Sequence, residues 1–391
     1  MPALTSEPIL REAVRSLSQT DTEARLAALD RFTAAPMPTP QHEIWRYSRI
    51  AELDLDQYAY GALSTTVAGA GDVLVDDVPV DVDDELDLFA DLNRALGSMI
   101  HLRVPRGRIV EQPIVITHEL TTDGAACFPR LVIDAGEDSE VTVIERFTSS
   151  DAITGFISPV LRVTAAQSAR VKYLSVNDLG SGVWQIANQQ ASGDRDSTTL
   201  LSTVALGGDY ARVRTHAKLV GQGGSTRQVA LYFADGSQTH DFRTTQEHIA
   251  PKTTSDLLFK GAVNDVASSV YTGLIKIGPD ARGTQAFQTN RNLTLSDGAW
   301  AKSVPNLQID TNDVKCSHAS TVGPIDEDQR FYLESRGIQP DIAERLVVLG
   351  FFDEVLDQLP VGSLADELRE RISKKLHKAV VPGVLGAGVP T

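Results

Sequence analysis

From about residue 100 the chain repeats one simple unit, a short run of alternating apolar and polar residues followed by a cluster of turn residues. The runs include "EVTVIERF", "ARVKYLSV", "ARVRTHAKL" and "VYTGLIKI", and the turn clusters include "GDRD", "GQGG", "APKT" and "GPDARG". Each run is typical of a β-strand. Successive units begin about 14 residues apart with no helical pattern between them, so two units make a repeat of about 28 residues.

This even repeat restricts the fold to few architectures. Short strands at regular spacing fit either a β-sandwich or a parallel β-helix, but a sandwich does not keep so even a period over about eight turns. The pattern therefore predicts a mostly β protein whose core, residues 96–322, is a parallel β-helix.

Segments with a helical pattern flank the repeat. "SEPILREAVRSLS" and "DTEARLAALDRFTAA" carry apolar residues three and four apart, with Ser6 and Asp21 as N-caps. With "EIWRYS", whose Trp45 and Tyr47 we expect to be buried, and an acidic connector, they make a predicted N-terminal helical domain of residues 1–95. The helical patterns after residue 322 predict a C-terminal domain of residues 323–391, which ends in a flexible tail, "VVPGVLGAGVPT".

Charge and hydropathy narrow the range of partners. The chain has 36 Lys and Arg against 52 Asp and Glu, a net charge of -16, which would repel nucleic acid and anionic membrane surfaces. No run of about 18 apolar residues and no basic, then apolar, N-terminal leader occurs, so we expect a cytoplasmic protein. Its two cysteines, Cys127 and Cys316, are expected to be free thiols.

The sequence lacks the motifs of common catalytic sites. There is no GxxxxGK[ST] loop, so we expect the chain to bind no ATP, and HExxH, CxxC and GxSxG are also absent. His240 and His248 lie eight positions apart, too far along one extended strand to share a metal ion, and we expect both to be partly exposed.

One short stretch, "DVKCSH", holds two candidate metal ligands. If it forms a strand, Val314, Cys316 and His318 share one face, with Lys315 and Ser317 on the other. The cysteine and the histidine would then lie about 7 Å apart at their Cα atoms, within reach of one soft metal site. Two ligands do not complete a tetrahedral site, so the others would come from another chain or from nearby carboxylates. The spacing leaves open a purely structural alternative, a buried cysteine beside a histidine that caps the solenoid.

The surrounding run "DVKCSHASTVGPIDEDQRFYLESRGI", residues 313–338, resembles the signature of the SufB/SufD family, the paired scaffold subunits of the SUF iron–sulfur cluster assembly machine. The likeness extends to "FKGAVNDVASSVYTGLIKI", "QTNRNLTLS", "VPNLQI" and "EIWRYS". Within the family the chain is more similar to the SufD side. Its repeat region has only Cys127 where SufB carries further cysteines for sulfur transfer, and Ser317 stands where SufB-like sequences tend to have glutamate.

The resemblance implies a right-handed parallel β-helix between helical domains and a role that is not enzymatic. A SufB partner would bind the end of the β-helix, and a transient iron–sulfur cluster would form at that interface with His318, together with Cys316, among its ligands. A cysteine desulfurase system would supply sulfur through SufB, and the chain could also form a homodimer where SufB is absent. The ATPase SufC would dock on the C-terminal helices, and the residues predicted to contact it are Phe331, Tyr332, Ile342, Leu346, Phe351, Phe352, Val355 and Leu356.

Two other functions are compatible with a β-helix considered as a fold alone. One is a carbohydrate-active enzyme, which would need a cluster of carboxylates or basic residues on one face of the solenoid. The other is a passive binding module, in which loss of His318 would have no effect on cluster formation.

Overall fold

The structure, a computed structural model, describes residue 4 and residues 6–17, 21–75 and 87–379. Most of the predicted acidic connector and the predicted tail lie outside the described residues. The α-helices are α1 (Glu7–Leu17), α2 (Thr22–Ala34), α3 (Leu88–Leu96), α4 (Glu327–Ser335), α5 (Pro340–Leu356) and α6 (Ser363–Ala379).

The strands follow one another without an intervening α-helix from residue 98 to residue 323. In chain order they are β1 (Ala59–Tyr60), β2 (Ser64–Ala68), β3 (Leu74–Val75), β4 (Ser98–Val104), β5 (Ile114–Leu120), β6 (Ala125–Cys127), β7 (Pro129–Ala135), β8 (Glu140–Ser149), β9 (Thr154–Ile157), β10 (Val160–Ala165), β11 (Arg170–Asp178), β12 (Gly182–Gly193), β13 (Thr198–Ala205), β14 (Tyr210–Leu219), β15 (Ser225–Ala234), β16 (Thr239–His248), β17 (Thr254–Val263), β18 (Ser268–Ile277), β19 (Thr284–Thr294), β20 (Trp300–Ile309) and β21 (Val314–Gly323).

These strands form two sheets that wind together into one solenoid. The first sheet has the order β20-β18-β16-β14-β12-β10-β7-β4-β3, and the second has the order β21-β19-β17-β15-β13-β11-β8-β5-β2. The short strands β1, β6 and β9 branch from the first sheet at β12. Trp184 pairs in parallel with Tyr210, and Ser268 with Trp300, so the length of one turn varies between 26 and 32 residues. The predicted β-helix is therefore confirmed.

One corner of the β-helix repeats a single backbone conformation. Asp138, Ser168, Asp196 and Lys252 all have a positive φ, between 56° and 58°, and Gly223 has a φ of 75° at the equivalent place. Such left-handed residues reverse the chain tightly, and aspartate and glycine adopt them more readily than most residue types. The regularly spaced clusters of tight-turn residues in the sequence therefore set the number of residues in each turn of the β-helix.

The N-terminal helices pack against the first sheet. Trp45 is buried, lies edge-on to Phe89 of α3, and has the Arg212 guanidinium 4.0 Å from its ring centroid. Tyr47, which the sequence predicts to be buried with Trp45, is instead 40% exposed. Its left-handed backbone, with a φ of 66°, turns the side chain away from the core.

His240 and His248 are also placed differently from the prediction. Both occupy inward-facing positions of β16 and are completely buried. Burial lowers the pKa of His248 to about 4 and that of His240 to about 3, so both rings are neutral at physiological pH. The correction arises because alternation identifies the two faces of a strand without saying which face is inside.

The C-terminal helices α5 and α6 pack on the outer face of the second sheet. One apolar cluster joins Val348 and Phe352 of α5 and Leu368 and Ile372 of α6 to Leu231 of β15. By contrast, α4 buries none of its residues. Among the described helices, none is both long and apolar enough to cross a membrane.

Candidate functional site at the open end of the β-helix

The two ends of the β-helix differ. At the N-terminal end, antiparallel strands cover the sheets, because β2 pairs with β5 and β3 pairs with β4. At the C-terminal end, β20 and β21 are the last strands of their sheets, and no strand in the described part of the chain pairs with their outer edges. Such edges present backbone N–H and C=O groups to which a strand of another chain can bind. We call β20 and β21 the open end.

The two candidate ligands lie on the second strand of the open end. Cys316 pairs with Ala286 and His318 with Gln288, and both of those β19 residues are buried. Cys316 and His318 therefore continue inward-facing columns of the β-helix on its last turn, which no further turn in the described part of the chain covers. Cys316 packs against the small apolar cluster that contains Ile275 and is half-buried, whereas His318 is exposed.

The chemistry of the pair follows from these surroundings. Burial raises the pKa of the Cys316 thiol, so at neutral pH the sulfur is protonated unless a metal ion or a base removes the proton. Lys315 lies on the opposite face of the strand and is exposed, so it contributes little to forming the thiolate. The His318 ring is open to an incoming ligand. A thiolate and an imidazole together suit iron or zinc.

This chain brings too few ligands together for a complete metal centre. Among the described residues, no group of three or more His, Cys, Asp or Glu side chains is placed to hold one metal ion. Cys316 and His318 could therefore supply at most part of a tetrahedral site, and the remaining positions would have to be filled by another chain.

Apart from Trp300, which the sequence favours as a core or rim aromatic over a binding platform, sequence reasoning did not single out the exposed apolar residues beside this site. Trp300, Leu307 and Ile309 of β20 and Val322 of β21 are all partly open to solvent. Exposed apolar side chains on an uncovered sheet edge are typical of a surface that binds another protein. Apolar composition could not reveal them, because the same residue types fill the interior of every earlier turn.

The residues predicted for ATPase docking divide into two groups. The exposed group contains Phe331, Tyr332, Ile342 and Leu346, with exposed fractions from 39% to 71%. Together with half-buried Phe351, they lie on α4 and α5, and a groove of about 890 Å³ between these helices is lined by Tyr332, Leu346 and Phe351. We call this region the α4–α5 patch.

The other three predicted docking residues are corrected by the structure. Phe352, Val355 and Leu356 are at most 1% exposed and belong to the cluster that joins α5 to the second sheet. A partner could contact them only if α5 left the β-helix. Because α5 is apolar around most of its circumference, the sequence did not separate its core-facing side from its exposed side.

Polar contacts reinforce the attachment of these helices. Lys260 of β17 is almost completely buried, donates to the backbone oxygen of Phe351 at 2.8 Å and pairs with Glu354 at 2.6 Å. Lys375 of α6 pairs with Asp235 at 2.7 Å. The helices α5 and α6 are therefore fixed to the β-helix by both apolar and charged contacts.

Comparison with known proteins agrees with this architecture. The family model for the SufBD core domain of the SUF iron–sulfur cluster assembly system matches residues 118–351, more than half of the chain. The chain belongs to the SufB/SufD family. The match includes the β-helix from β5 onward, both candidate ligands, α4 and most of α5.

Individual relatives place the chain on the SufD side of the family. It is 27% identical to SufD of Escherichia coli, over 89% of this chain and 91% of that protein, and 33% identical to SufD of Bacillus subtilis, over 70% and 63%. It is also 31% identical to an iron–sulfur cluster assembly SufBD family protein of Mycobacterium tuberculosis, over 95% of this chain and 96% of that protein. The predicted SufB/SufD resemblance is confirmed.

Proposed function

We propose that this chain is the SufD-type subunit of a cytoplasmic SUF complex and has no catalytic activity of its own. Its open end pairs with a SufB-type subunit, and a nascent iron–sulfur cluster, which is cargo rather than a resident cofactor, forms between them. The observation that carries the proposal is the uncovered end of the β-helix, where Cys316 and His318 continue the inward columns of the last turn. Sulfur from a cysteine desulfurase system reaches this site through the SufB-type subunit.

The incomplete ligand set supports a shared site. His318 is exposed and supplies a nitrogen ligand, while Cys316, two residues earlier on the same face, supplies a sulfur ligand once its proton is lost. The partner provides the other ligands, so the cluster forms only when the two chains are joined.

The test is co-expression of the chain with SufB and SufC of the same organism, followed by anaerobic iron and sulfide analysis and visible absorption spectroscopy. We expect His318→Ala to leave the complex assembled but to remove most of its cluster. Ser320→Ala is the matched control, because Ser320 occupies the next inward position of the same strand. Equal cluster content in the wild-type and His318→Ala complexes would assign the ligands to the partner alone.

We further propose that the α4–α5 patch docks the SufC ATPase. Its exposed aromatic and aliphatic side chains offer an anchor of the kind that dominates protein interfaces. The double variant Phe331→Ala and Tyr332→Ala should lose co-purifying SufC and keep SufB, whereas Trp300→Ala at the open end should weaken SufB binding and keep SufC. Loss of both partners from either variant would contradict the assignment of separate surfaces.

A further inference from the structure

Tyr47, near the point where the N-terminal segment meets the last turns of the β-helix, has an unusual backbone conformation. Its φ is 66° and its side chain is 40% exposed, whereas Trp45, two residues earlier, is buried. A positive φ is rare for a residue as bulky as tyrosine and persists only where the surrounding contacts impose it. The chain therefore holds an aromatic ring at its surface in a conformation that tyrosine does not favour.

Two buried arginines impose this conformation. Arg212 donates to the backbone oxygen of Ile44, and Arg243 donates to the backbone oxygen of Arg46. Both guanidinium groups are themselves fixed by ion pairs with Asp241, which is completely buried. A buried polar network whose members are all bonded makes the structure around it rigid. The exposed ring that follows Arg46 is therefore presented in a fixed position.

The ring of Tyr47 joins the N-terminal segment to the open end. Arg46 Cζ lies 5.2 Å from the ring centroid, and Lys302 Nζ lies 5.3 Å from it. Lys302 is on β20, in register with Val270 and Asp241, so the three share one outer column of the first sheet. Val270 and Asp241 are completely buried, whereas Lys302 is exposed. The N-terminal segment therefore covers this column only as far as the last strand.

Other exposed side chains enlarge this surface. Trp300 precedes Lys302 by two residues on β20, so both point to the same outer face, and Trp300 is 46% exposed. Ile44 is 47% exposed. We call Ile44, Arg46, Tyr47, Trp300 and Lys302 the Tyr47 patch. Aromatic residues and arginine are enriched in protein interfaces, and this patch borders on the open end because the two share β20.

The charge of the Tyr47 patch indicates the kind of partner that it fits. Among the described residues, neither Arg46 nor Lys302 forms an ion pair with a carboxylate. Two neighbouring cations without a counter-charge are an exception in a chain whose net charge is -16. That net charge repels nucleic acid and anionic membranes at long range. A protein segment with carboxylates beside an apolar side chain complements both the cations and the rings.

We propose that the Tyr47 patch binds an acidic segment of the SufB-type subunit that covers the open end. Carboxylates of that segment pair with Arg46 and Lys302, and an apolar side chain packs against the exposed rings of Tyr47 and Trp300. The inference rests on the proposed function, because it assumes that partner. It adds a second contact region, separate from Cys316 and His318, that controls how fast and how tightly the partner binds.

The first test measures binding of the full-length chain to the SufB–SufC complex of the same organism by biolayer interferometry at increasing NaCl. The double variant Arg46→Glu and Lys302→Glu should associate about tenfold more slowly at low salt, because charges at an interface act mainly on the association rate. The difference from wild type should shrink at about 0.5 M NaCl, where the charges are screened. An association rate and salt dependence equal to those of the wild type would overturn the proposal.

Two controls accompany the charge reversal. The double variant Arg46→Lys and Lys302→Arg keeps both positive charges and should associate nearly as fast as the wild type. Arg103→Glu reverses an exposed cation on the outer face of the same sheet but on β4, at the other end of the β-helix, and should have no effect. An equal loss in Arg103→Glu would assign the effect to net charge alone and would also overturn the proposal.

Tyr47→Asn separates a binding role from a structural one. Asparagine adopts a left-handed backbone more readily than tyrosine, so the melting temperature should stay the same or rise. The affinity for the SufB–SufC complex should nevertheless fall about tenfold, because an aromatic anchor is lost. An unchanged affinity would overturn the proposal, whatever the melting temperature.

These outcomes are distinguishable from failure of the proposed function. The Tyr47 patch variants should carry as much cluster per assembled complex as the wild type, whereas His318→Ala should lose it. Unchanged partner binding in the patch variants would refute this inference alone. A wild-type chain that does not bind SufB would refute the proposed function and this inference with it.

Discussion

A buried carboxylate in the β-helix helps to hold the N-terminal segment, and removing its charge gives the sharpest stability prediction. Asp241 of β16 is completely buried and pairs with Arg212 at 2.5 Å and with Arg243 at 2.7 Å. The two guanidinium groups in turn donate to the backbone oxygens of Ile44 and Arg46, on either side of the buried Trp45. Asp241→Asn therefore leaves two buried cations short of their counter-charge.

We expect Asp241→Asn to lower the free energy of unfolding by about 3–5 kcal/mol, the usual cost of breaking a buried ion pair from one side. The control is Asp256→Asn, because Asp256 pairs with Arg227 at 3.2 Å where both side chains are more than 40% exposed. That exposed pair should contribute less than about 1 kcal/mol. Urea denaturation followed by tryptophan fluorescence measures both, and a loss below about 1 kcal/mol in Asp241→Asn would refute the reasoning.

The same ion-pair network predicts how the difference in free energy of unfolding between the wild type and Asp241→Asn depends on pH. Burial alone would raise the pKa of Asp241, but the charges of Arg212 and Arg243 outweigh it and hold the pKa below its usual range. A carboxylate with a lowered pKa stabilises the fold fully above the unfolded-state value of about 3.9 and loses this contribution as the pH falls toward the folded value. The difference in free energy of unfolding between the wild type and Asp241→Asn should therefore be constant above about pH 5 and shrink below about pH 4. A difference in free energy of unfolding that grows on acidification would contradict the lowered pKa of Asp241.

Three further predictions follow from burial. Phe352→Ala should cost about 3–5 kcal/mol in urea denaturation, because it opens a cavity where α5 packs on the β-helix. Iodoacetamide should modify Cys316 slowly at neutral pH, and the rate should rise about tenfold per pH unit until the pH reaches the raised pKa of the thiol. It should spare Cys127 in the native protein, because that thiol is 1% exposed and has a pKa of about 12. Intact-mass spectrometry measures both reactions. Gly261→Ala should cost about 1–3 kcal/mol, because its Cβ would lie 1.9 Å from the Tyr232 ring; thermal denaturation measures the loss.

The β-helix was predictable from the sequence because each turn ends in the same corner. Residues such as Asp196 and Lys252 adopt a left-handed conformation once per turn, and the local sequence around them carries that signal. The positions of Cys316 and His318 on one face of a strand were predictable for a similar reason, since alternation depends only on strand geometry.

Features that depend on pairing between turns were not predictable. The burial of His240 and His248 follows from which face of β16 is inside, and the core position of Phe352 follows from how α5 lies on the second sheet. The inward column that Gln228 and Gln288 share needs the register of three turns, because the two residues are 60 positions apart in the chain and share it only once β15, β17 and β19 are paired. Sequence patterns report local conformation, whereas these features arise from contacts between distant segments.

The attachment of the C-terminal helices bears on how the proposed ATPase would act on the open end. Under the proposed function, a force on the α4–α5 patch would reach α5, and we expect α5 not to move alone, because Phe352 is packed on the second sheet and Lys260 binds the backbone oxygen of Phe351. We expect the displacement to pass instead to β15 and β17, and through their parallel ladders to β19 and β21. Since α4 buries no residue, it can adjust to the ATPase without disturbing this path. Under the proposed function, ATPase movement would therefore shift the whole end of the β-helix, including His318, relative to the partner subunit.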